Sequence, residues 1–263
     1  MPLRIATWNV NSVRQRLAHL ERFCATHAPD VLCLQEIKVP SEDFPLAEAA
    51  ALGYRHVEVH GQKGYNGVAI LSRLPLTKPS RQVWCERDDC RHLAVKVGGV
   101  ELHNFYVPAG GDVPDPEQNP KFAHKLQFLT ELAQWAGAER LARRKAVIVG
   151  DLNVAPLEHD VWNHKRLRRS VGHTPQEAEH MTRFWAAGNL IDVPRRFVPE
   201  PEPLYTWWGY RFPQSYARDY GWRLDHVLAT PPLGKSLKSL QVVRETRTWE
   251  RPSDHVPVVL DLE

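Results

Sequence analysis

Short apolar runs that each end on a polar side chain constrain this chain more than any other feature. The clearest is AVIVGDLNVAP at 146–156. Ala146, Val147, Ile148 and Val149 form a run rich in β-branched residues, which predicts a buried strand ended by Gly150. Asp151 and Asn153 follow, two apart, and alternation along a strand sends such residues to one side. A carboxylate carried out of a hydrophobic run needs a partner, because burying it unpaired is costly. A hard metal ion, a phosphate or a nucleophilic water would each supply one. The competing reading is a plain turn, opened by Asp151 and capped by Asn153.

The same arrangement recurs along the chain. LRIATWNV at 3–10 brings Asn9 and Asn11 to its end, and VLCL at 31–34 closes on Gln35 and Glu36. The strand at 102–106 ends in Tyr106, broken by Pro108. Asp225 sits in the strand at 224–229, and Asp254 and His255 precede the last strand, at 256–262. Further strands are expected at 56–60, 68–72 and 93–97, the last joined to the run from Val100 by a Gly98-Gly99 hairpin turn. Helical spacing predicts helices at 13–27, 43–52, 122–142 and 174–189. Segments 110–120 and 194–203, rich in Pro, read as loops. No linker is long enough to separate independent units, so residues 1–263 are expected to form a single domain with one shared site.

Composition narrows the chemistry. A hydrophobic fraction of 43% supports a sizeable core, and a net charge of +3 permits a polyanionic partner without demanding one. Cys85, Cys90 and His92 lack a fourth ligand at zinc spacing, so the four cysteines read as scattered, reduced thiols. The N-terminus lacks the basic start and long apolar stretch of a signal peptide. No apolar run approaches the ~20 residues of a membrane span. A soluble, cytoplasmic protein is expected. The basic run HKRLRR at 164–169 reads first as a solvated face. Aromatic and Arg residues interleave at 205–211 and at Trp222-Arg223, which suits stacking on bases or sugars and pairing with phosphates, or else a small core under a loop.

Asn9, Glu36, Tyr106, Asp151, Asn153, Asp225, Asp254 and His255 together offer carboxylates, amides and an imidazole without thiolates. That set describes a hard-cation site for Mg²⁺, or Mn²⁺ as a substitute. It exceeds what one such ion takes, and the surplus can serve as a general base and as an orienting partner for His255. Metal, base, histidine and tyrosine together suit phosphate ester hydrolysis.

The sequence resembles the exonuclease III-type apurinic/apyrimidinic endonucleases of the endonuclease/exonuclease/phosphatase superfamily. The resemblance rests on nine motifs in the family's order: TWNVNS (7–12), LQEIK (34–38), GYNGVAILSR (64–73), YVPAG (106–110), GDLNVAP (150–156), DVW (160–162), WWGYR (207–211), RLDHVL (223–228) and RPSDHVPV (251–258). It implies a four-layer α/β sandwich of two packed mixed β-sheets flanked by helices. It implies that Glu36 is the principal Mg²⁺ ligand with Asn9 and Asp254 close by, and that Asp151 positions or deprotonates the attacking water. Asn153, Tyr106 and His255 would contact the scissile phosphate, the metal group extending to Asp151, Asn153 and His255, while Asp225 would orient His255. Trp207, Trp208 and Trp222, with Arg211, match positions lining an abasic-sugar pocket.

Two departures concern substrate preference more than chemistry: Ala109 stands where the family often has an amide, and Gly209 where WWDYR has Asp. The implied activity is Mg²⁺-dependent cleavage of duplex DNA 5′ to an abasic site, with 3′–5′ exonuclease and 3′-end-cleaning activity, by a monomer. Two alternatives stay open: a relative in the superfamily acting on another phosphoester, such as a phospholipid or inositol phosphate, and a non-catalytic DNA-binding relative.

Overall fold

The structure, a computed structural model, describes residues 2–263. Its strands are β1 (Leu3–Asn9), β2 (Val31–Gln35), β3 (His56–His60), β4 (Val68–Ser72), β5 (Thr77–Ser80), β6 (His92–Val97), β7 (Val100–Tyr106), β8 (Ala146–Asp151), β9 (Ile191–Asp192), β10 (Asp225–Ala229), β11 (Leu237–Val242) and β12 (Val258–Leu262). The helices are α1 (Leu17–His27), α2 (Leu46–Ala51), α3 (Pro120–Ala138), α4 (His164–Leu167), α5 (Pro175–Gly188) and α6 (Val193–Phe197). The strands make two six-stranded sheets, ordered β11-β12-β1-β2-β4-β3 and β5-β6-β7-β8-β10-β9. Both are mixed: β1 with β2 and β7 with β8 are parallel, and the other pairs run antiparallel.

Strand alternation sorts the side chains into layers. Ile5, Val31, Cys33, Val68 and Ile70 of the first sheet meet Val95, Leu102, Val147, Val149 and Val227 of the second in one apolar core. On the outer face of the first sheet, Ala6, Trp8, Leu32, Leu34 and Ala69 cluster with Leu20 and Phe23 of α1 and Ala49 of α2. On the outer face of the second, Phe105, Ile148 and Leu228 cluster with Phe128, Leu129 and Leu132 of α3 and Met181 and Phe184 of α5. Helix, sheet, sheet, helix is the four-layer α/β sandwich expected from the sequence.

Local signals set the helix ends. Asn119 accepts from Lys121 N at 3.0 Å to cap α3, with Pro120 as its first residue. Thr174 and Glu177 form a capping box at α5, and Asn189 ends that helix in the left-handed region. The helix expected at 13–27 opens as a 3-10 turn at Arg14–Arg16, and α3 stops at Ala138 rather than 142.

Sequence reading missed β5, β9, β11, α4 and α6. Strand β5 is exposed throughout, β9 has two residues, and β11 is a mostly solvated edge, so none carries a clear burial pattern. Helix α6 is a five-residue turn within the segment expected as a Pro-rich loop. Gly150 does not end its strand but lies inside β8 at φ 132°. A Cβ there would sit 1.9 Å from the Phe105 carbonyl oxygen. Glycine is what lets β7 and β8 stay paired to their ends, where Tyr106 lies opposite Asp151.

Candidate active site

The alternation that fills the inter-sheet core also aims the polar strand ends. Asn9 shares its face with Leu3 and Ile5, Tyr106 with Val100 and Leu102, Asp151 with Val147 and Val149, and Asp225 with Val227 and Ala229. One step nearer the apolar core lies a neutral polar tier that the sequence analysis did not single out. Gln35 Nε2 donates to Thr7 Oγ1 at 2.9 Å and to Asn104 Oδ1 at 2.7 Å. Asn104 Nδ2 crosses to the other sheet, donating to the Leu34 and Ala69 carbonyls at 3.0 Å. The core therefore grades from hydrocarbon through amides and a hydroxyl to charge, and most of the buried polar atoms of this tier meet a partner, Gln35 Oε1 being an exception.

Asp151 and Asp225 lie directly opposite each other on β8 and β10. Two like charges in that register repel. His255, arriving from the segment before β12, relieves the repulsion: Nδ1 is 2.8 Å from Asp225 Oδ2, and Nε2 is 3.6 Å from Asp151 Oδ2. Its own backbone is pinned, for Trp8 Nε1 donates to the His255 carbonyl at 3.1 Å.

Beside this trio, Asn9 Nδ2 forks between Glu36 Oε1 and Asp151 Oδ2, both at 2.9 Å. The Tyr106 hydroxyl donates to Glu36 Oε1 at 2.9 Å. Asp254 accepts from Asn11 Nδ2 at 3.1 Å and from Trp207 Nε1 at 2.9 Å. Asp151 does both things its sequence allowed: Oδ1 accepts from Asn153 N at 2.9 Å as a turn would, while Oδ2 faces Asn9 and His255. The non-glycine residues Asn11, Ser12, Glu36, Lys38 and Asn153 all have positive φ. Backbone strain of this kind gathers at functional sites.

Burial sets the electrostatics. It pushes the Asp151 carboxyl up to about 7, against the pull of His255, with Asp225 and Glu36 adding to the rise. Burial alone would lower His255, but the Asp225 and Asp151 carboxylates raise it to about 10. Burial would likewise raise Glu36, yet the Lys38 ammonium and the Asn9 amide hold it below the ordinary carboxylate range. Burial, together with Glu36 and Asp151, keeps the Tyr106 phenol protonated far above its usual value. The site at neutral pH thus holds an imidazolium, an ionised Glu36, a neutral phenol and an aspartate poised to change state.

The donor set fits a hard cation. Asp151, Asp225 and His255 present ligand atoms within 4.8 Å of one another. Asp225 Oδ1 is buried and has no hydrogen-bond partner among the described residues. The Lys38 ammonium, 2.8 Å from Glu36 Oε2 and also bonded to Asn11 Oδ1, already seats one positive charge on that carboxylate. Oxygen donors dominate and no thiolate joins them, which is the chemistry Mg²⁺ and Mn²⁺ accept, while the charged His255 has no nitrogen lone pair to offer an ion.

Beyond Asn153 the site opens into a cavity of about 370 Å³ lined by Ala109, Asn153, Arg169, Gly172, Trp207 and Trp222. On the far side of Trp207 and Trp222 a second cavity, of about 340 Å³, is bordered by Trp162, Arg166, Arg211 and Tyr220. Trp207 and Trp222 thus line both cavities, and Arg211 borders the second. Trp208 does not: it is fully buried, with its Nε1 donating to Asp219 at 3.1 Å, and belongs to a small core with Tyr205 and Val256. Adjacent residues on an extended stretch face opposite ways, so Trp207 and Trp208 cannot share a wall. Arg223 is no phosphate contact either. It is buried and pairs with Asp160 and Asp192 at 2.8 Å. Arg166 and Arg169, read first as a solvated face, are exposed and also border the cavities.

One buried group that the sequence analysis passed over supports the Asn153 turn. Lys125, fully buried on α3, is ion-paired with Glu177 and donates to the Asn153 carbonyl at 2.6 Å and the Ala109 carbonyl at 3.3 Å. Its only sequence signal is a lysine among the apolar residues of a helix.

Comparison with known proteins bears on this geometry. Residues 6–255 match the model of the Endonuclease/Exonuclease/phosphatase family. Exodeoxyribonuclease III of Haemophilus influenzae is 30% identical over 268 aligned positions, covering 97% of this chain and 98% of that one. The structure of an AP endonuclease from Archaeoglobus fulgidus superposes with a TM-score of 0.93 at 35% identity, covering 99% of both chains. A 3′ phosphatase from Neisseria, bound to product DNA hairpin, superposes with a TM-score of 0.91 at 34% identity, again over 99% of both chains.

Proposed function

The chain belongs to the endonuclease/exonuclease/phosphatase family, is of the exonuclease III type and is a DNA repair nuclease, and from that premise we propose that it is a Mg²⁺-dependent enzyme that hydrolyses duplex DNA 5′ to abasic sites and also trims and cleans 3′ ends. The observation that carries this reading is the meeting of Asp151, Asp225 and His255 with Glu36 and Asn9 at one mouth between the sheets. A single domain working as a monomer suffices for it.

In this reading Asp151, ionised, takes a proton from the attacking water as the water oxygen closes on phosphorus. The bond from phosphorus to the 3′ oxygen of the preceding nucleotide breaks, and that oxygen takes up a proton from solvent to leave a 3′-hydroxyl. His255 donates from Nε2 to a phosphoryl oxygen and meets the charge that develops there. Asp225 keeps the ring oriented and charged through Nδ1. The Tyr106 hydroxyl and the Asn153 amide proton not given to the Val107 carbonyl share the same load. Glu36, Asn9 and Asp254 would hold Mg²⁺, with Asp151, Asn153 and His255 at its edge, and the bound ion would supply charge neutralisation at the phosphate. Trp207 and Trp222 form the wall against which a baseless sugar would rest, with Arg166, Arg169 and Arg211 toward the DNA backbone.

The test is product analysis on duplexes carrying an abasic analogue, a 3′-phosphate or a plain 3′-hydroxyl, each with Mg²⁺, Mn²⁺ or chelator. Metal-dependent nicking that leaves a 3′-hydroxyl 5′ to the lesion is expected, with slower release of phosphate and nucleotides from the ends. Binding without cleavage of any of the three, or cleavage indifferent to chelator, would sink the proposal. Turnover confined to a phospholipid or inositol phosphate added in parallel would move the protein to another substrate class.

A further inference from the structure

Away from this mouth, His60, Asp88 and Cys90 bring an imidazole nitrogen, a carboxylate oxygen and a sulfur within 4.8 Å of one another. His60 ends β3, while Asp88 and Cys90 come from the loop between β5 and β6. His60 Nδ1 lies 3.2 Å from the His92 carbonyl. A carbonyl only accepts, so Nδ1 carries the proton and Nε2 is the nitrogen turned to Asp88 Oδ1 at 3.0 Å. Anchoring one ring nitrogen to a backbone carbonyl is how proteins orient a metal-binding imidazole. His60 and Cys90 are buried and Asp88 is exposed, so the group opens to solvent on one side. The loop is held in place: Gly67 N donates to the Cys90 carbonyl at 3.2 Å, and Asn66 Nδ2 to the Asp89 carbonyl at 2.9 Å.

We propose that His60, Asp88 and Cys90 form a second metal site, suited to a borderline-soft divalent cation such as Zn²⁺ and separate from the hard-cation cluster. One nitrogen, one oxygen and one sulfur are ligands Zn²⁺ takes together, with a fourth position left for water. Mg²⁺ does not seek a thiolate, so the two sites differ in the ion they prefer. Burial and the neighbouring Asp88 and Asp89 push the Cys90 thiol up to about 11. The thiol therefore loses its proton to solvent as the metal–sulfur bond forms. The plainer reading is a His60–Asp88 ion pair with Cys90 merely nearby, and it allows no metal–thiolate bond. The residue after Cys90 reaches the nuclease site. Arg91, next to Cys90, accepts from Tyr106 N at 2.8 Å, donates to the Tyr106 carbonyl at 3.2 Å and lies 5.0 Å from the centre of its ring.

The full-length protein, stripped with chelator and held in excess Mg²⁺, is titrated anaerobically with Co²⁺. A saturable sulfur-to-cobalt charge-transfer band at one equivalent is expected, bleached by Zn²⁺. Cys90→Ser should abolish the band and Cys85→Ser should keep it, both leaving Mg²⁺-dependent nicking within about twofold of the unaltered protein. Asp88→Asn, at an exposed position that folding does not need, should weaken Co²⁺ binding by about tenfold or more. It decides the matter even where Cys90→Ser fails to fold. Absence of the band in the unaltered protein, its survival in Cys90→Ser, or undiminished Co²⁺ affinity in Asp88→Asn overturns the assignment.

Discussion

His255 is protonated because Asp225 and Asp151 outweigh its burial, and its role as a donor depends on that charge. The active form under the proposed mechanism has Asp151 ionised and His255 charged. In kcat/KM measured with Mg²⁺, activity should rise with pH through a limb set by Asp151, below the value of about 7 that burial gives it in the cation-free protein, then fall through about 10. Asp225→Asn keeps an acceptor for Nδ1 but removes the larger of the two favourable charges. The basic limb should then move toward neutrality by at least about one unit, which a pH profile of the variant reads directly. An unmoved limb would mean that Asp225 does not set the charge of His255.

Stability carries the same sign. Both groups lie above their ordinary values, so both favour the native state when protonated. The His255 contribution is full below 6.5 and gone above about 10; that of Asp151 is full below 3.8 and lost by about 7. Buried histidines whose pKa is lowered, such as His92, His103 and His226, carry the opposite slope, so the comparison is with a His255→Gln variant that keeps them: between pH 6 and pH 9 the unaltered, cation-free protein should lose more melting temperature in calorimetry than the variant, and equal changes would count against a charged, buried His255.

At the scale of elements, legibility followed burial pattern. Strands β1, β2, β4, β7, β8 and β10 are buried along most of their length, and their apolar runs announced them. Edges such as β5 and β11 face water and leave no such trace. The resemblance put Trp208 in the pocket wall with Trp207, whereas the other reading of that stretch, a small core under a loop, is the one Trp208 follows. Lys125 was invisible for another reason: nothing local says that a lysine on a helix will find Glu177, 52 positions along and on another helix. That pair is fully buried and holds the Asn153 turn. Lys125→Met should cost about 3–5 kcal/mol in denaturant unfolding, because it strands a buried carboxylate. Lys125→Met with Glu177→Gln removes that charge while keeping acceptors for Gly172 N and Thr174. The double variant should be more stable than Lys125→Met alone; equal or greater loss would mean the pair contributes through packing and not charge.

Across the whole molecule, the site exists because two sheets end together. Asn9 and Glu36 come from the first sheet's strands and the turn that follows them, Tyr106, Asp151 and Asp225 from the second's, and Asp254 and His255 from the segment entering β12. Each strand end was legible alone, since a polar residue closing an apolar run stands out. One shared site was expected from a chain without linkers, but periodicity fixes a face and not which faces oppose, so the role of each residue came from the family resemblance. Convergence concentrates negative charge where the sheets must close, so the cation-free protein holds unfavourable energy there. A divalent ion that binds the native site and not the unfolded chain stabilises by mass action, about 2.7 kcal/mol at a hundred times its dissociation constant. For a chain of this size that is a rise in melting temperature on the order of 5–10 °C. Saturating Mg²⁺ should produce such a rise in calorimetry, in buffer freed of softer metals. Glu36→Gln should melt lower than the unaltered protein without Mg²⁺, because the Lys38 ammonium loses its carboxylate, and should also gain much less from Mg²⁺, because a cation ligand is lost. Equal gains in the two proteins would place the ion elsewhere and separate Glu36 from metal binding.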